Sequence, residues 1–240
     1  MEEEFVTVRG QKYYVKNGKL DLSKKEITDI TEIKGLENLT NLEILFLNYN
    51  PIKEIKGLEK LTNLQELILS ATLITEIRGL ENLINLKKLN LSHNHLEEIK
   101  GLEKLTNLEE LLLLENQIRE IKGLECLTNL HELYLWGNQI KEIKGVEYLN
   151  NLRTLDLREN QIKEIKGLDR LTNLQKLDLD KNQIKEIKGL EHSTNLILVS
   201  LKDNPIREDE RYLLRKHSKK VVKYCQEKAR KGKLVNKNRI

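Results

Sequence analysis

The 240-residue sequence predicts an α/β solenoid: a curved horseshoe of stacked units, with a parallel β-sheet on the concave face and 3-10 or irregular segments on the convex side. Three observations predict it. A glycine recurs at Gly35, Gly57, Gly79, Gly101, Gly123, Gly145, Gly167 and Gly189, each step 22 residues long with no insertion or deletion. A fixed period of that length marks a stacked repeat and overrides the one or two globular domains that chain length alone implies. The phrase around the glycine barely changes, reading QIKEIKGVE from Gln139, QIKEIKGLD from Gln161 and QIKEIKGLE from Gln183. Aromatic residues make up only 4% of a leucine-rich chain, so the core is aliphatic.

Taken in order, residues 1–22 read as an N-terminal β cap. Phe5, Val6 and Val8, then Tyr13, Tyr14 and Val15, then Leu20 and Leu22, alternate loosely around Gly10 and Asn17-Gly18. Asn-Gly between β-prone runs is a hairpin signal. A stack needs such a cover because its first unit would otherwise expose one face to water. Residues 20–206 form the solenoid, with about eight full repeats after a degenerate first one that carries about three extra residues between Leu20 and Gly35. Within a unit, Leu42, Leu45, Leu47, Asn50 and Ile52 set a skeleton that returns from Leu64, Leu86, Leu108, Leu130, Leu152, Leu174 and Leu196.

That skeleton, L-x-x-L-x-L-x-x-N-x-I/L, is the leucine-rich-repeat pattern. The L-x-L pair falls in a short strand, so Leu133 and Leu135 point inward while Tyr134 and Trp136 point out of the concave face. Asn138 turns the chain off the strand, and its amide is placed to bond the backbone of neighbouring turns. Ile140, Ile143, Val146 and Leu149 return along the convex side, and the glycine allows a tight or positive-φ turn. Thr72 stands where the other units have asparagine, which predicts a weaker ladder there. Ser193 replaces a convex leucine in the last unit.

With I-x-x-I-x-G-L-x-x-L following the asparagine, the units resemble the short-repeat class of the phosphatase regulator SDS22. Internalins share the period but usually carry proline where this chain has glycine. The resemblance covers roughly residues 20–206 and specifies fold far more than function. It implies a metal-dependent Ser/Thr protein phosphatase as a possible partner. Asn204, Pro205 and Tyr212 match the start of that class's C-terminal cap, whereas its later P-x-L-x-x-L-D segment is absent.

After Asn204 the period stops. Glu208, Asp209 and Glu210 mark a helix start, and Tyr212, Leu213, Leu214, His217, Val221, Tyr224 and Cys225 share one face at helical spacing. Residues 207–231 are expected to be a capping helix, followed by a loose basic tail over 232–240. From Arg207 onward 13 Lys/Arg face 4 Asp/Glu, a charge of +9, so the rest of this +4 chain carries −5. A mildly acidic body does not suit a nucleic-acid clamp. The tail itself is open to three readings: a solvated terminus, a segment touching membrane or nucleic acid, or a linker. Cys126 and Cys225 are far apart, no signal-peptide core begins the chain and no apolar run reaches about 18 residues, so a cytoplasmic monomer is expected.

Function is expected on the outward strand columns, because they vary while the scaffold repeats. One column runs Phe46, Ile68, Asn90, Leu112, Tyr134, Asp156, Asp178, Ser200; the next runs Asn48, Ser70, Ser92, Leu114, Trp136, Arg158, Asp180, Lys202. They predict an apolar, aromatic zone of Ile44, Phe46, Tyr49, Ile68, Leu112, Leu114, Tyr134 and Trp136. Beside it lies a charged zone of Asp156, Arg158, Asp178, Asp180 and Lys181. Aromatic anchors beside a polar flank make a protein-binding surface; the alternative is aromatics that merely pad the sheet. The Lys/Glu pattern of the convex side reads as a solvated face. His93 and His95 with Glu115 lack the ligand set of a metal site, and the aspartates lack a nucleophile and an orienting histidine. No cofactor and no catalysis are expected. A consensus-like repeat without a dedicated partner, and an adaptor acting through the tail, are the rival readings.

Overall fold

The computed structural model of the chain describes residues 4–237, so residues 1–3 of the cap and 238–240 of the tail lie outside the described residues. Strands β1 (Phe5–Val8) and β2 (Gln11–Tyr14) form an antiparallel hairpin with Phe5 opposite Tyr14 and Val8 opposite Gln11. Val6 and Val8 point onto the first unit and are buried, while the Phe5 and Tyr14 rings pair on the outside, 5.8 Å between centroids. The hairpin turns at Arg9-Gly10. Asn17-Gly18, with φ of 51° and 71°, makes a second tight turn that passes the chain into β3 (Lys19–Asp21), the first strand of the long sheet.

That sheet has nine parallel strands in sequence order: β3, β4 (Ile44–Phe46), β5 (Glu66–Ile68), β6 (Lys88–Asn90), β7 (Glu110–Leu112), β8 (Glu132–Tyr134), β9 (Thr154–Asp156), β10 (Lys176–Asp178) and β11 (Leu198–Ser200). Its register never slips. Leu20, Leu45, Leu67, Leu89, Leu111, Leu133, Leu155, Leu177 and Val199 pair in succession. Each buried leucine therefore stacks on its own equivalents, and one continuous aliphatic core runs the length of the molecule. The three extra residues of the first unit are taken up by a 3-10 turn, Ile30–Glu32, whose cap is the Asp29 side chain accepting from Thr31 N. Lys56 and Thr31 together hold the Asp29 carboxyl down to about 2.

Two ladders of asparagines clamp the units. In the inner one, Asn138 donates to Leu135 O (3.0 Å) and to Leu113 O of the preceding unit (2.9 Å), and accepts from Ile118 N (3.0 Å). Thr72 interrupts it as expected: its hydroxyl reaches only Leu69 O and the Asn94 amide oxygen, leaving the bonds to the unit before it unmade. The outer ladder lies at the other end of the strands, where Asn63, Asn85, Asn107, Asn129, Asn151, Asn173 and Asn195 each donate to a carbonyl of the preceding unit. On the convex side short turns close by i→i+3 bonds, such as Leu61 N to Leu58 O and Leu64 N to Leu61 O.

The C-terminal cap departs from a single helix over 207–231. Glu208–Arg215 is a 3-10 segment; Lys216 is extended, and an α-helix, α1, runs Ser218–Lys237. A straight helix from residue 207 would carry its apolar face past the end of the stack. The break instead lets Leu213 on one side and Val221, Val222 and Cys225 on the other seal the same core. Ser218 fixes the second leg by accepting from Val199 N and donating to Ile197 O on the free edge of β11. Residues 232–237 continue α1 instead of forming a loose tail. Glu210, 1% exposed, ties the cap to the last unit: it accepts from Ile187 N, from the Tyr224 hydroxyl and from Lys228 Nζ.

Candidate functional site

Alternation along each strand decides which side chains reach the concave face. Leu133 and Leu135 are fully buried, and Glu132, Tyr134 and Trp136 between and beside them are partly exposed. The same holds for Ile44 and Phe46 on β4, Ile68 on β5, and Leu112 and Leu114 on and after β7; Tyr49 is exposed, 58%. The single expected apolar zone is two. Phe46 pairs with Ile68, and Leu112 with Tyr134, but Asn90 of β6 stands between Ile68 and Leu112 in the same column. Ser92 is buried there, its hydroxyl accepting from Leu114 N. At the far end Lys24 lies over the Tyr49 ring, 5.0 Å from its centroid.

The second apolar cluster is built on a polar frame. The Arg158 guanidinium grips the Asp156 carboxylate with three bonds, Nε to Oδ1 at 3.0 Å and to Oδ2 at 3.1 Å, and Nη2 to Oδ2 at 2.6 Å. Its guanidinium lies 5.4 Å from the Trp136 ring centroid. One cation thus orients both an acid and an indole. Asp156 is only 5% exposed, so it is not presented to solvent as the sequence reading expected. Its neighbours in register, Tyr134 and Asp178, close over it from both sides, and Arg158 covers the rest. The Tyr134 hydroxyl donates to Glu132 Oε2. Burial first, then Glu132, push its pKa well above the usual tyrosine range, so it stays a donor.

Asp178 and Asp180 do reach the concave surface. Burial, with Asp180 and Asp156 adding to it, raises the Asp178 carboxyl above the ordinary carboxylate range, although its bond from Asp180 N and the nearby Arg158 oppose the shift. Asp180 accepts from Lys202 N. Lys181 pairs with Glu159 at 2.7 Å; together with the Trp136 indole it lowers the Glu159 carboxyl. His93 Nδ1 lies 3.0 Å from Glu115 Oε2, and Asn94 between the histidines is spent on the inner ladder. Among the described residues no group of three His, Cys, Asp or Glu is placed to hold a metal ion.

The sequence reading missed two parts of this face. One is the column led by Ile44 that continues through Glu66, Lys88, Glu110, Glu132, Thr154, Lys176 and Leu198, where Lys88 and Glu110 pair at 2.8 Å. The other is a shallow polar groove beside the outer ladder, lined by Asn63, Asn85, Asn107, Asn129, Glu109 and His131 among others. The N-L pair repeated before each strand from Asn41-Leu42 to Asn195-Leu196 was a usable signal for it.

Comparison with known proteins places the fold. The family described as "Leucine Rich repeats (2 copies)" matches residues 40–82, 62–104, 84–126, 106–148 and 150–192. No curated protein matches the chain. Among solved structures the chain is similar to an internalin, InlF, of Listeria monocytogenes, with 28% identity over 82% of this chain and 58% of that one and a TM-score of 0.73. It is similar to internalin C2 of the same organism at 32% identity, covering 77% of this chain and 80% of that one, TM-score 0.70. A leucine-rich-repeat protein of Leptospira interrogans follows at 30% identity, 86% and 59% coverage and TM-score 0.67. The chain therefore spans less than two thirds of the first and third of these, 58% and 59%. Proteins built this way generally act as protein-interaction scaffolds and are typically non-enzymatic. Among the described residues no helix is long and apolar enough to cross a membrane. The matched segments cover more than half of the sequence, and the chain belongs to the leucine-rich-repeat family.

Proposed function

We propose that this chain is a non-enzymatic binding module that docks a folded protein partner on its concave sheet, with Tyr134 and Trp136 as anchors and Leu112, Leu114, Asp178 and Asp180 around them. One observation carries the reading. The sole tryptophan of a chain poor in aromatics stands on the concave strand columns, where the units differ from each other, held in place by the Arg158–Asp156 pair. A pre-oriented aromatic loses little freedom on binding, and aromatic and arginine side chains dominate binding hot spots. Phe46, Ile68, Ile44 and Tyr49 form a second, separate contact. A partner that bridges both spans the polar strip of Asn90 and Ser92.

The near-identical return phrases favour a second reading, a consensus-like scaffold with no dedicated partner. Affinity capture from the source cell decides between them. The docking reading expects captured proteins that Trp136→Ala loses and a convex change, Tyr148→Ala, keeps. Proteins retained equally by both variants contradict it. The finer reading, a phosphatase-regulator-like adaptor, rests on the resemblance to the SDS22 class and stands only if a metal-dependent Ser/Thr phosphatase is among the proteins lost with Trp136→Ala. A reducing, cytoplasmic setting is supported by two unpaired cysteines, one exposed and one buried.

A further inference from the structure

We infer that the C-terminal cap docks on an anionic lipid surface through the outer face of α1, a contact independent of the concave one. Val221, Val222 and Cys225 turn one side of α1 into the core. At about 100° per residue, Lys219, Lys220, Lys223, Arg230 and Lys231 fall within an arc of roughly 120° on the opposite side. All five are exposed, and the acid among them, Glu227, lies 3.9 Å from Lys223. Elsewhere the chain pairs its surface cations. On the convex side Lys56 reaches Asp29 and Glu54, Arg78 reaches Glu54 and Glu76, and Lys100 reaches Glu76 and Glu98. The ion pairs of α1 among the described residues use only Lys223 and Lys228, which leaves Lys219, Lys220, Arg230 and Lys231 without an acid. Unbalanced like charges on one folded face repel each other, and an anionic surface relieves that repulsion.

The neighbouring edge is apolar. Ile197 is 61% and Leu198 49% exposed, and Ser218, the first residue of α1, is bonded to Ile197 O and Val199 N. In the column of Ile197 the seven preceding units carry charged or polar side chains, from Glu43 to Gln175, so an isoleucine there is peculiar to the unit beside the basic helix. Cations flanked by exposed aliphatic residues suit a lipid headgroup layer, where electrostatic attraction and shallow apolar burial add. A nucleic acid gains nothing from the aliphatic pair. The one aromatic of α1, Tyr224, is half-buried with its hydroxyl bonded to Glu210, not presented for base stacking. Lysine, a compact point charge, outnumbers arginine on this face, whereas the planar fork that nucleic-acid recognition favours belongs to arginine. The acidic remainder of the chain does not oppose the contact: at 0.1 M salt, screening acts within about 10 Å, roughly two units of the stack. The solenoid then stands end-on, its concave sheet open to a protein partner.

Cosedimentation of the full chain with vesicles tests this. Vesicles of equal parts phosphatidylserine and phosphatidylcholine should bind the chain, phosphatidylcholine alone should not, and added salt should release it. Each lysine at an anionic leaflet strengthens binding roughly fivefold, so Lys219→Gln combined with Lys220→Gln should weaken it at least tenfold. Both lysines are exposed and unpaired, so the fold should hold, which thermal unfolding checks. Ile197→Gln places there the side chain that Gln175 supplies one unit earlier, and should weaken vesicle binding several-fold. Duplex DNA at the same phosphate concentration should bind more weakly than the anionic vesicles. No binding to anionic vesicles, equal binding to neutral ones, or binding that the double lysine variant leaves unchanged overturns the inference. So does DNA binding as tight as vesicle binding, or vesicle affinity indifferent to Ile197→Gln, because either makes the patch a general polyanion site.

Discussion

Trp136 and Leu135 are adjacent in sequence and opposite in role. Leu135 is fully buried, so Leu135→Ala removes core contacts and leaves a cavity, costing about 2–5 kcal/mol in denaturant unfolding. Trp136→Ala removes a partly exposed ring that packs mainly on Arg158 and should shift stability by less than about 1 kcal/mol. Asp178 supplies a test with a definite sign. Its carboxyl is raised in the fold, so the protonated form is favoured there; the favourable contribution is complete below the unfolded carboxylate range and is lost as pH rises through the folded value. At neutral pH the ionised group therefore opposes folding. Asp178→Asn, which can still accept from Asp180 N, should raise Tm by about 1–2 °C at pH 7 and lose that gain near pH 3. The in-and-out assignment of these residues was legible because strand side chains alternate with a period of two. The burial of Asp156 was not, because it depends on Arg158 folding back over it and on Tyr134 and Asp178 closing from neighbouring strands.

At the scale of one unit, the recurring glycine does two jobs that sequence spacing separates poorly. Its positive φ was readable as a tight turn. The close approach of the preceding unit was not, since no single unit contains it. At Gly145, with φ of 87°, an added Cβ would fall 1.9 Å from Ile121 O, a backbone atom that cannot step aside. At Gly57 the nearest atom is Thr31 Cγ2 at 3.2 Å, because the first unit's longer loop stands differently. Gly57→Ala should cost about 1–2 kcal/mol, the left-handed backbone penalty. Gly145→Ala should cost clearly more, with both read from urea midpoints. The hairpin offers a similar contrast. Asn17-Gly18 announced a turn, and it is one, but it feeds β3; the cap's own turn is Arg9-Gly10, which carries a weaker signal.

Across the whole molecule each unit touches only its neighbours, so stability is a chain of local terms and the ends are the weak points. Glu210 is the main polar tie at the C-terminal end. Glu210→Ala leaves the Ile187 amide without its acceptor, at a cost of roughly 1–3 kcal/mol. Faster hydrogen exchange should then spread over the last unit and α1 while β4 to β7 keep their protection; uniform loss along the chain would contradict nearest-neighbour coupling. The solenoid was legible end to end because the period repeats so faithfully. The broken cap was not, because it is shaped by the open end it covers and not by its own apolar spacing.

The docking surface itself can be read from the one intrinsic fluorophore of its kind. Trp136 is the only tryptophan, so acrylamide quenching of indole emission reports that spot alone. Measured on the free chain and on its complex with a captured partner, quenching should be ready in the first and strongly reduced in the second. Equal quenching in both would mean that the partner binds elsewhere and that the concave aromatic cluster is not where this protein meets it.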